Sequence, residues 1–265
     1  MTTLDPDALI AGEIEALPDA DLLSDIKQLI ISAEAERPRS QQTALGPSQV
    51  GHECERRLAY SINASVNAGK LTRESKGANS FSDPMAAIIG TASHSWMEEA
   101  VIADNRRLGR YRWIPEHKVE VREGLSGTCD LYDIDTASVL DWKFPGSTRY
   151  EHYAKHGPSN TYRGQAHLYG RGYKRLGFPV KYVGNIYISR AGSLRKIHLW
   201  REPYNDALVD EILDRYDRVG HQMEMLRVDE FPDNFKQIPV TPDSDCIFCP
   251  WFSVNPEGPF SCGKA

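Results

Sequence analysis

Apolar residues recur every three or four positions over Met85, Ile88, Ile89, Ala92, Trp96, Ala100 and Val101, a spacing that lays one stripe along a helix. Ser82-Asp83-Pro84 supplies its start and Gly109 its stop. The period then shortens to two. "RWIPEHKVEVRE", "GTCDLYDID" and "SVLDWKF" read as strands, the last two joined by a tight turn at "DTAS". A helix is predicted from about Asn160 to Leu176, then strands "VKYVGNIYISR" and "SLRKIHLW" around Ala191-Gly192, then an amphipathic helix from about Tyr204 to Arg227. Helix, three strands, helix, strands describe an α/β fold: a mixed central β-sheet flanked by helices.

The flanks differ from this middle. Asp5-Pro6 and Pro18-Asp19 each open a short acidic helix. "ERPRSQQTALGPSQVGHECERRLAY" is linker-like until a helical pattern begins near Ser48, and "NASVNAGKLTRESKGANSFS" has polar loop composition. From Asp229 the chain is proline-rich, irregular and cysteine-bearing. Three regions follow: an acidic helical arm over 1–45, a core over 46–228, and a tail over 229–265 that packs with the Cys54 region.

With 40% hydrophobic and 26% charged residues, the 265-residue chain reads as globular with one main core. No stretch is long and apolar enough for a membrane helix, and the acidic N-terminus lacks a basic-then-apolar signal, so a cytoplasmic protein is expected. The formal net charge of −6 is concentrated in residues 1–45, where nine acids face Lys27, Arg37 and Arg39; the remaining 28 acids and 28 bases cancel. Nucleic acid is therefore not excluded as a partner. "ERRLAY", "GKLTRESKG", "NRRLGRYRW", "YRGQAHLYGRGYKRLG" and "SRAGSLRK" mix bases with aromatics, which suits a channel for phosphates and bases, although solvated helix faces are the commoner explanation of such runs.

Chemistry enters at "SVLDWKFPG". Asp141 and Lys143 are two residues apart on a strand and leave one face together. Hairpin pairing brings Asp130 beside Asp141 on that face. Two adjacent carboxylates repel unless a hard divalent cation lies between them, and Lys143 could then polarise or deprotonate a water on the cation. His94 and Glu98, at i and i+4 on the long helix, can complete such a shell, with Gly90 one turn earlier allowing the helix close to the sheet. Gln165 and Tyr169 are again at i and i+4. Five cysteines in a cytoplasmic chain read as thiols or metal ligands: Cys246-x-x-Cys249 can grip one centre, Cys262 follows, and Cys129 reads as a buried apolar side chain.

The succession G-x-x-x-H-x-x-x-E, G-x-x-D, D-x-K, Q-x-x-x-Y over residues 90 to 169 resembles the P-D-(D/E)-x-K nuclease superfamily, in its RecB-like exonuclease branch. The resemblance implies a restriction-endonuclease-like core. It implies that His94, Asp130, Asp141 and the Trp142 carbonyl bind Mg²⁺ or Mn²⁺, that Lys143 is the catalytic lysine, that Glu98 rather than Glu99 is the helix acid, and that Gln165 and Tyr169 form the branch's own motif. "PSQVGHECERRLAYS", upstream of the long helix, is similar to the corresponding stretch of iron–sulfur nucleases such as the CRISPR-associated RecB-like exonucleases and the AddB nuclease domain. That likeness implies a structural four-iron, four-sulfur (4Fe-4S) cluster on Cys54, Cys246, Cys249 and Cys262, stapling the N- and C-terminal regions; a tetrahedral zinc site on the same thiolates is the alternative. The function implied is a metal-dependent DNA exonuclease acting on single strands 5′ to 3′ in recombination, repair or phage DNA metabolism. Prespacer trimming in CRISPR adaptation and a non-catalytic, cluster-bearing DNA-binding module are the alternatives.

Overall fold

The computed structural model of the protein describes residues 19–36, 45–67, 83–242, 246 and 249–263. The chain divides into two units, Met1–Gln42 and Thr43–Ala265. In the first, helix α1 (Asp19–Ala35) exposes Leu22, Ile26 and Leu29 along one stripe. The earlier of the two expected acidic helices lies outside the described residues, as does most of the expected polar loop over 63–82; its first four residues are instead helical, closing the helix Glu55–Val66.

The second unit is built on five strands in the order β1 (Trp113–Arg122), β2 (Leu125–Asp133), β3 (Ser138–Lys143), β4 (Tyr182–Ile188) and β5 (Ile197–Pro203). All neighbours are antiparallel except β3 and β4. A parallel pair needs a long crossover, here two helices, α5 (Ser147–His156) and α6 (Asn160–Arg175), counting from α2 (Pro47–Val50), α3 (Glu55–Val66) and α4 (Met85–Leu108). A mixed sheet flanked by helices is thus the architecture. α5 was not expected from the sequence. β5 begins four residues later than the predicted strand, because Ser193–Lys196 closes a turn in which the Lys196 N–H donates to the Ser193 carbonyl.

α6 is the inner helix. Its Ser159 cap accepts from the Tyr162 N–H, and Ala166, Tyr169 and Tyr173 pack on Val139 and Val183 of the sheet. Close approach is possible because Gly172 lacks a side chain: a Cβ there would lie 2.6 Å from Val119 Cγ2. α4 covers the opposite face, with Val101 against Leu131 and Leu140. Asp83 Oδ1 accepts from the Met85 N–H at its start, and Gly109 ends it at φ 66°. Only the C-terminal half of its apolar stripe is used, since Met85, Ile89 and Trp96 remain exposed. Gly90 brings no close approach either: a Cβ there would meet nothing within 4 Å, because this half of the helix has already left the sheet.

A separate core joins α3, α7 (Asp206–Met225) and the tail, through Leu58, Tyr60, Val219, Phe235, Ile238 and Trp251. Arg56 Nε donates to the Ile238 carbonyl at 2.9 Å and Tyr60 OH to the Pro259 carbonyl at 2.8 Å, tying α3 to residues far along the chain. Among the described residues no helix is long and apolar enough to cross a membrane.

Candidate metal centre and the cysteine cavity

The β2–β3 ladder runs Asp133/Ser138, Tyr132/Val139, Leu131/Leu140, so the next positions toward the open end are Asp130 and Asp141. The regular ladder stops short of them: the Trp142 N–H donates to the side chain of Asp130, at Oδ2 and 2.8 Å, which leaves the two carboxylates close enough to repel. Both are buried, at 8% and 2% exposure. Burial first, then repulsion from Asp130, pushes the Asp141 carboxyl up to about 7, against the pull of Lys143 and His94.

Lys143 leaves the same face and forms an ion pair with Asp141. Its Nζ donates to Gln165 Oε1 at 3.1 Å and lies 4.4 Å from the centre of the Tyr162 ring. Burial alone would depress the lysine, but Asp141, Tyr162 and Asp130 outweigh it and raise its pKa, so the side chain is a held ammonium. Gln165 Nε2 passes the contact on to Tyr169 OH at 3.5 Å. The strand pair and the motif helix are therefore joined through one lysine.

His94 reaches the site from α4, its Nδ1 lying 3.4 Å from Asp130 Oδ2 and 3.8 Å from Glu116 Oε1. Ligand atoms of His94, Glu116 and Asp130 all fall within 4.8 Å of one another, the one such group of three among the described residues. Two carboxylates and an imidazole suit Mg²⁺ or Mn²⁺. Burial would lower the His94 pKa, yet Asp130 and Glu116 raise it to about 9; the carboxylates that hold this proton would equally favour a cation that displaces it.

Glu116 was missed by sequence reasoning. It lies between the rungs Pro115/Leu131 and His117/Cys129, hence opposite Asp130, and has φ 43°, a left-handed backbone that non-glycine residues seldom adopt. The visible signal was Pro115, since a proline within a strand marks an irregular place in the ladder. Glu98, the expected helix acid, is half-buried one turn beyond His94 and outside this group of three, as is Asp141, whose Oδ2 faces Lys143. Cys129 is fully buried, its Sγ near the Leu131 and Leu140 carbonyls.

The basic runs turn out to be largely neutralised. Arg171 donates to Asp206 at 2.8 Å and to Asp210 at 2.7 Å, Arg175 to Glu120 at 3.1 Å, and Arg163 to Glu202 at 2.6 Å. Arg110 and Arg112 likewise bind Asp135 and Asp133. Their partners come from distant strands and helices, which a local charge count cannot see. "GKLTRESKG" lies outside the described residues.

At the other end of the unit, Cys54, Cys246, Cys249 and Cys262 line one cavity with His52 and Arg57. None of the five cysteines is in a disulfide. Backbone bonds set the loops: the Cys249 N–H donates to the Cys246 carbonyl at 2.9 Å and the Cys262 N–H to the Trp251 carbonyl at 2.8 Å. No three of these thiol sulfurs lie within 4.8 Å of one another among the described residues. His52 is held neutral: burial, then Arg57 and Arg215, lowers its pKa to about 3, and its Nδ1 accepts from the Cys54 N–H at 3.1 Å.

No protein-family model matches this chain, and no curated protein is significantly similar to it. Among solved structures it superposes on an alkaline exonuclease (LHK-Exo) from Laribacter hongkongensis, with a TM-score of 0.47 and 12% identity over 76% of this chain and 97% of that one. The complex of LHK-Exo with dAMP gives the same values. A phage related exonuclease from Haemophilus somnus 129PT follows, with a TM-score of 0.37 and 17% identity over 61% of this chain and 90% of that one. These likenesses are too distant to assign an activity, which has to come from the site itself.

Proposed function

We propose that this protein is a divalent-metal-dependent deoxyribonuclease of the P-D-(D/E)-x-K superfamily, an exonuclease of the RecB-like branch working in the cytoplasm in recombination, repair or phage DNA metabolism. The observation that carries the reading is the convergence of Asp130, Asp141 and Lys143 on one end of a hairpin, with His94 and Glu116 gathered at Asp130 and Gln165 bound to the lysine. The single-strand preference and 5′ to 3′ polarity come from the sequence resemblance alone.

The residues present fit the cation: Asp130, Glu116 and His94 offer its ligands, with Asp141 near Asp130, and the sequence resemblance adds the Trp142 carbonyl. A bound Mg²⁺ or Mn²⁺ supplies Lewis acidity and a water acidic enough to attack near neutral pH. The chain does the rest. Lys143 is fixed by Asp141 and Gln165 and presents a charged donor to the scissile phosphate, offsetting the negative charge that grows as the fifth oxygen bonds to phosphorus. Tyr162 shields one side of that ammonium, and Tyr169 holds Gln165 in place. Glu116, rather than Glu98, is the carboxylate that serves with His94.

The same proposal gives Cys54, Cys246, Cys249 and Cys262 a structural 4Fe-4S cluster. The four thiols line one cavity, as a shared centre requires, and the preference for the cluster over zinc rests on the sequence resemblance alone.

The test is paired. Wild-type protein should degrade end-labelled single-stranded DNA with Mn²⁺ and stop in EDTA, and Asp141→Ala should be inactive while still folded. Anaerobically purified protein should be brown and Cys54→Ser colourless. Absence of metal-dependent cleavage by the wild type refutes the nuclease; a colourless, zinc-loaded wild type refutes only the cluster.

A further inference from the structure

β4 forms the second wall of the metal site. In its parallel ladder with β3, Asp141 is in register with Asn185 and Lys143 with Tyr187. Residues in register share a face, so an amide and a phenol stand beside the acid and the ammonium. Asn185 is 0% exposed, yet neither its Nδ2 nor its Oδ1 has a hydrogen-bond partner among the described residues, and the Tyr187 hydroxyl is also without one. Asp141 Oδ2, although paired with Lys143, completes no hydrogen bond of good geometry. Unsatisfied polar atoms thus belong to residues paired on one rung, at the acid of the D-x-K motif.

A buried amide without partners is the kind of exception that calls for a use, because leucine has the same branched shape with nothing left unpaired. The two neighbours on the same face of β4 show the contrast: Val183 is apolar and packed, while Tyr187 stacks on Tyr153 through its ring. The amide of Asn185 serves no such packing. It faces the Asp141 rung.

Building on the metal-site reading above, we infer that Asn185 is a positioning residue for that site: its amide is the hydrogen-bond donor that orients the Asp141 carboxylate through one bridging water. Hydrogen bonds to the groups around a cation fix their orientation, and losing one typically weakens binding of the metal tenfold or more.

The experiment uses metal-stripped full-length protein and two readouts, Mn²⁺ binding by calorimetry and thermal unfolding in EDTA. Asn185→Leu should bind Mn²⁺ on the order of tenfold more weakly while its unfolding temperature is unchanged or higher, since an unpaired buried amide has been removed. Asn185→Thr, which keeps a donor, should recover part of the affinity. A leucine variant that binds Mn²⁺ like the wild type overturns the inference, and so does an affinity loss that merely follows a lowered unfolding temperature with no recovery in the threonine variant. If the leucine variant does not fold, Asn185→Ala decides by the same two readouts. Wild type that binds no Mn²⁺ overturns the metal-site reading and this inference together; wild type that binds it beside an unaffected leucine variant overturns this inference alone.

Discussion

Replacing Lys143 with methionine keeps most of the side chain's length and removes the ammonium from Asp141, which is 2% exposed. The consequence is a pH-dependent loss of stability. Burial and Asp130 already push the Asp141 carboxyl up to about 7, with Lys143 among the groups holding it down. Without the ammonium it rises further. A carboxyl whose folded pKa exceeds its unfolded value of about 3.9 keeps a proton in the native state that the unfolded chain has released. Stability therefore falls as pH rises through that window and levels off above the folded pKa. In the wild type the fall ends near pH 7; in the variant it continues. The stability gap between the two proteins should widen above pH 7 by at most about 1.4 kcal/mol per pH unit, toward the roughly 3–5 kcal/mol of an uncompensated buried charge. Lys143 itself has its pKa raised from 10.5 and does not titrate in this range. Urea denaturation of both proteins in EDTA, from about pH 5.5 to 8.5, measures the gap. A gap that is constant, or that narrows toward high pH, refutes the reasoning, because Asp141 would then not depend on Lys143 for its charge.

Glu116→Gln removes a carboxylate from the group it forms with His94 and Asp130 and should weaken Mn²⁺ binding at least tenfold in a calorimetric titration, whereas Glu98→Gln should change it much less; equal effects would return the ligand role to the helix. His167 is fully buried with its Nδ1 accepting from the Asn205 N–H at 3.2 Å and its Nε2 facing Glu202, and burial, the larger influence, keeps its pKa below 6.5. Below about pH 6.5 the unfolded chain binds a proton that the native state does not, so wild-type stability should fall there and the gap to His167→Gln should narrow; parallel denaturation midpoints for the two proteins between about pH 5 and 7 would contradict this.

What could be read from the sequence was what a local period carries. The i, i+2 spacing put Asp141 and Lys143 within reach of one another, the i, i+4 spacing aligned Gln165 with Tyr169, and the turn at "DTAS" set the β2–β3 hairpin. α5 escaped because it is short, starts at a Gly146 cap with no side-chain bond, and buries only Tyr150 and Tyr153 in an otherwise charged and polar stretch. β4 was legible as a strand, yet nothing local said that Asn185 would stand in register with Asp141, since the crossover places them 44 residues apart.

The choice between Glu98 and Glu116 shows why the rest was not legible. Helical spacing from His94 selects Glu98, and that inference holds only if the helix lies flat on the sheet at that turn. It does not: the helix grips the sheet at Val101, while a Cβ at Gly90 would meet nothing within 4 Å among the described residues and Trp96 is 65% exposed. The histidine can still reach Asp130, but the acid beside it is set by β1, whose backbone turns to φ 43° at Glu116. A residue held in that conformation stores strain, and its carboxylate lies 3.8 Å from the imidazole, in one group with Asp130. The proposed ligand set thus includes an acid from a strand that helical spacing from His94 does not reach, and the strained glutamate is the residue whose substitution most directly separates a working cation site from an accidental cluster of acids.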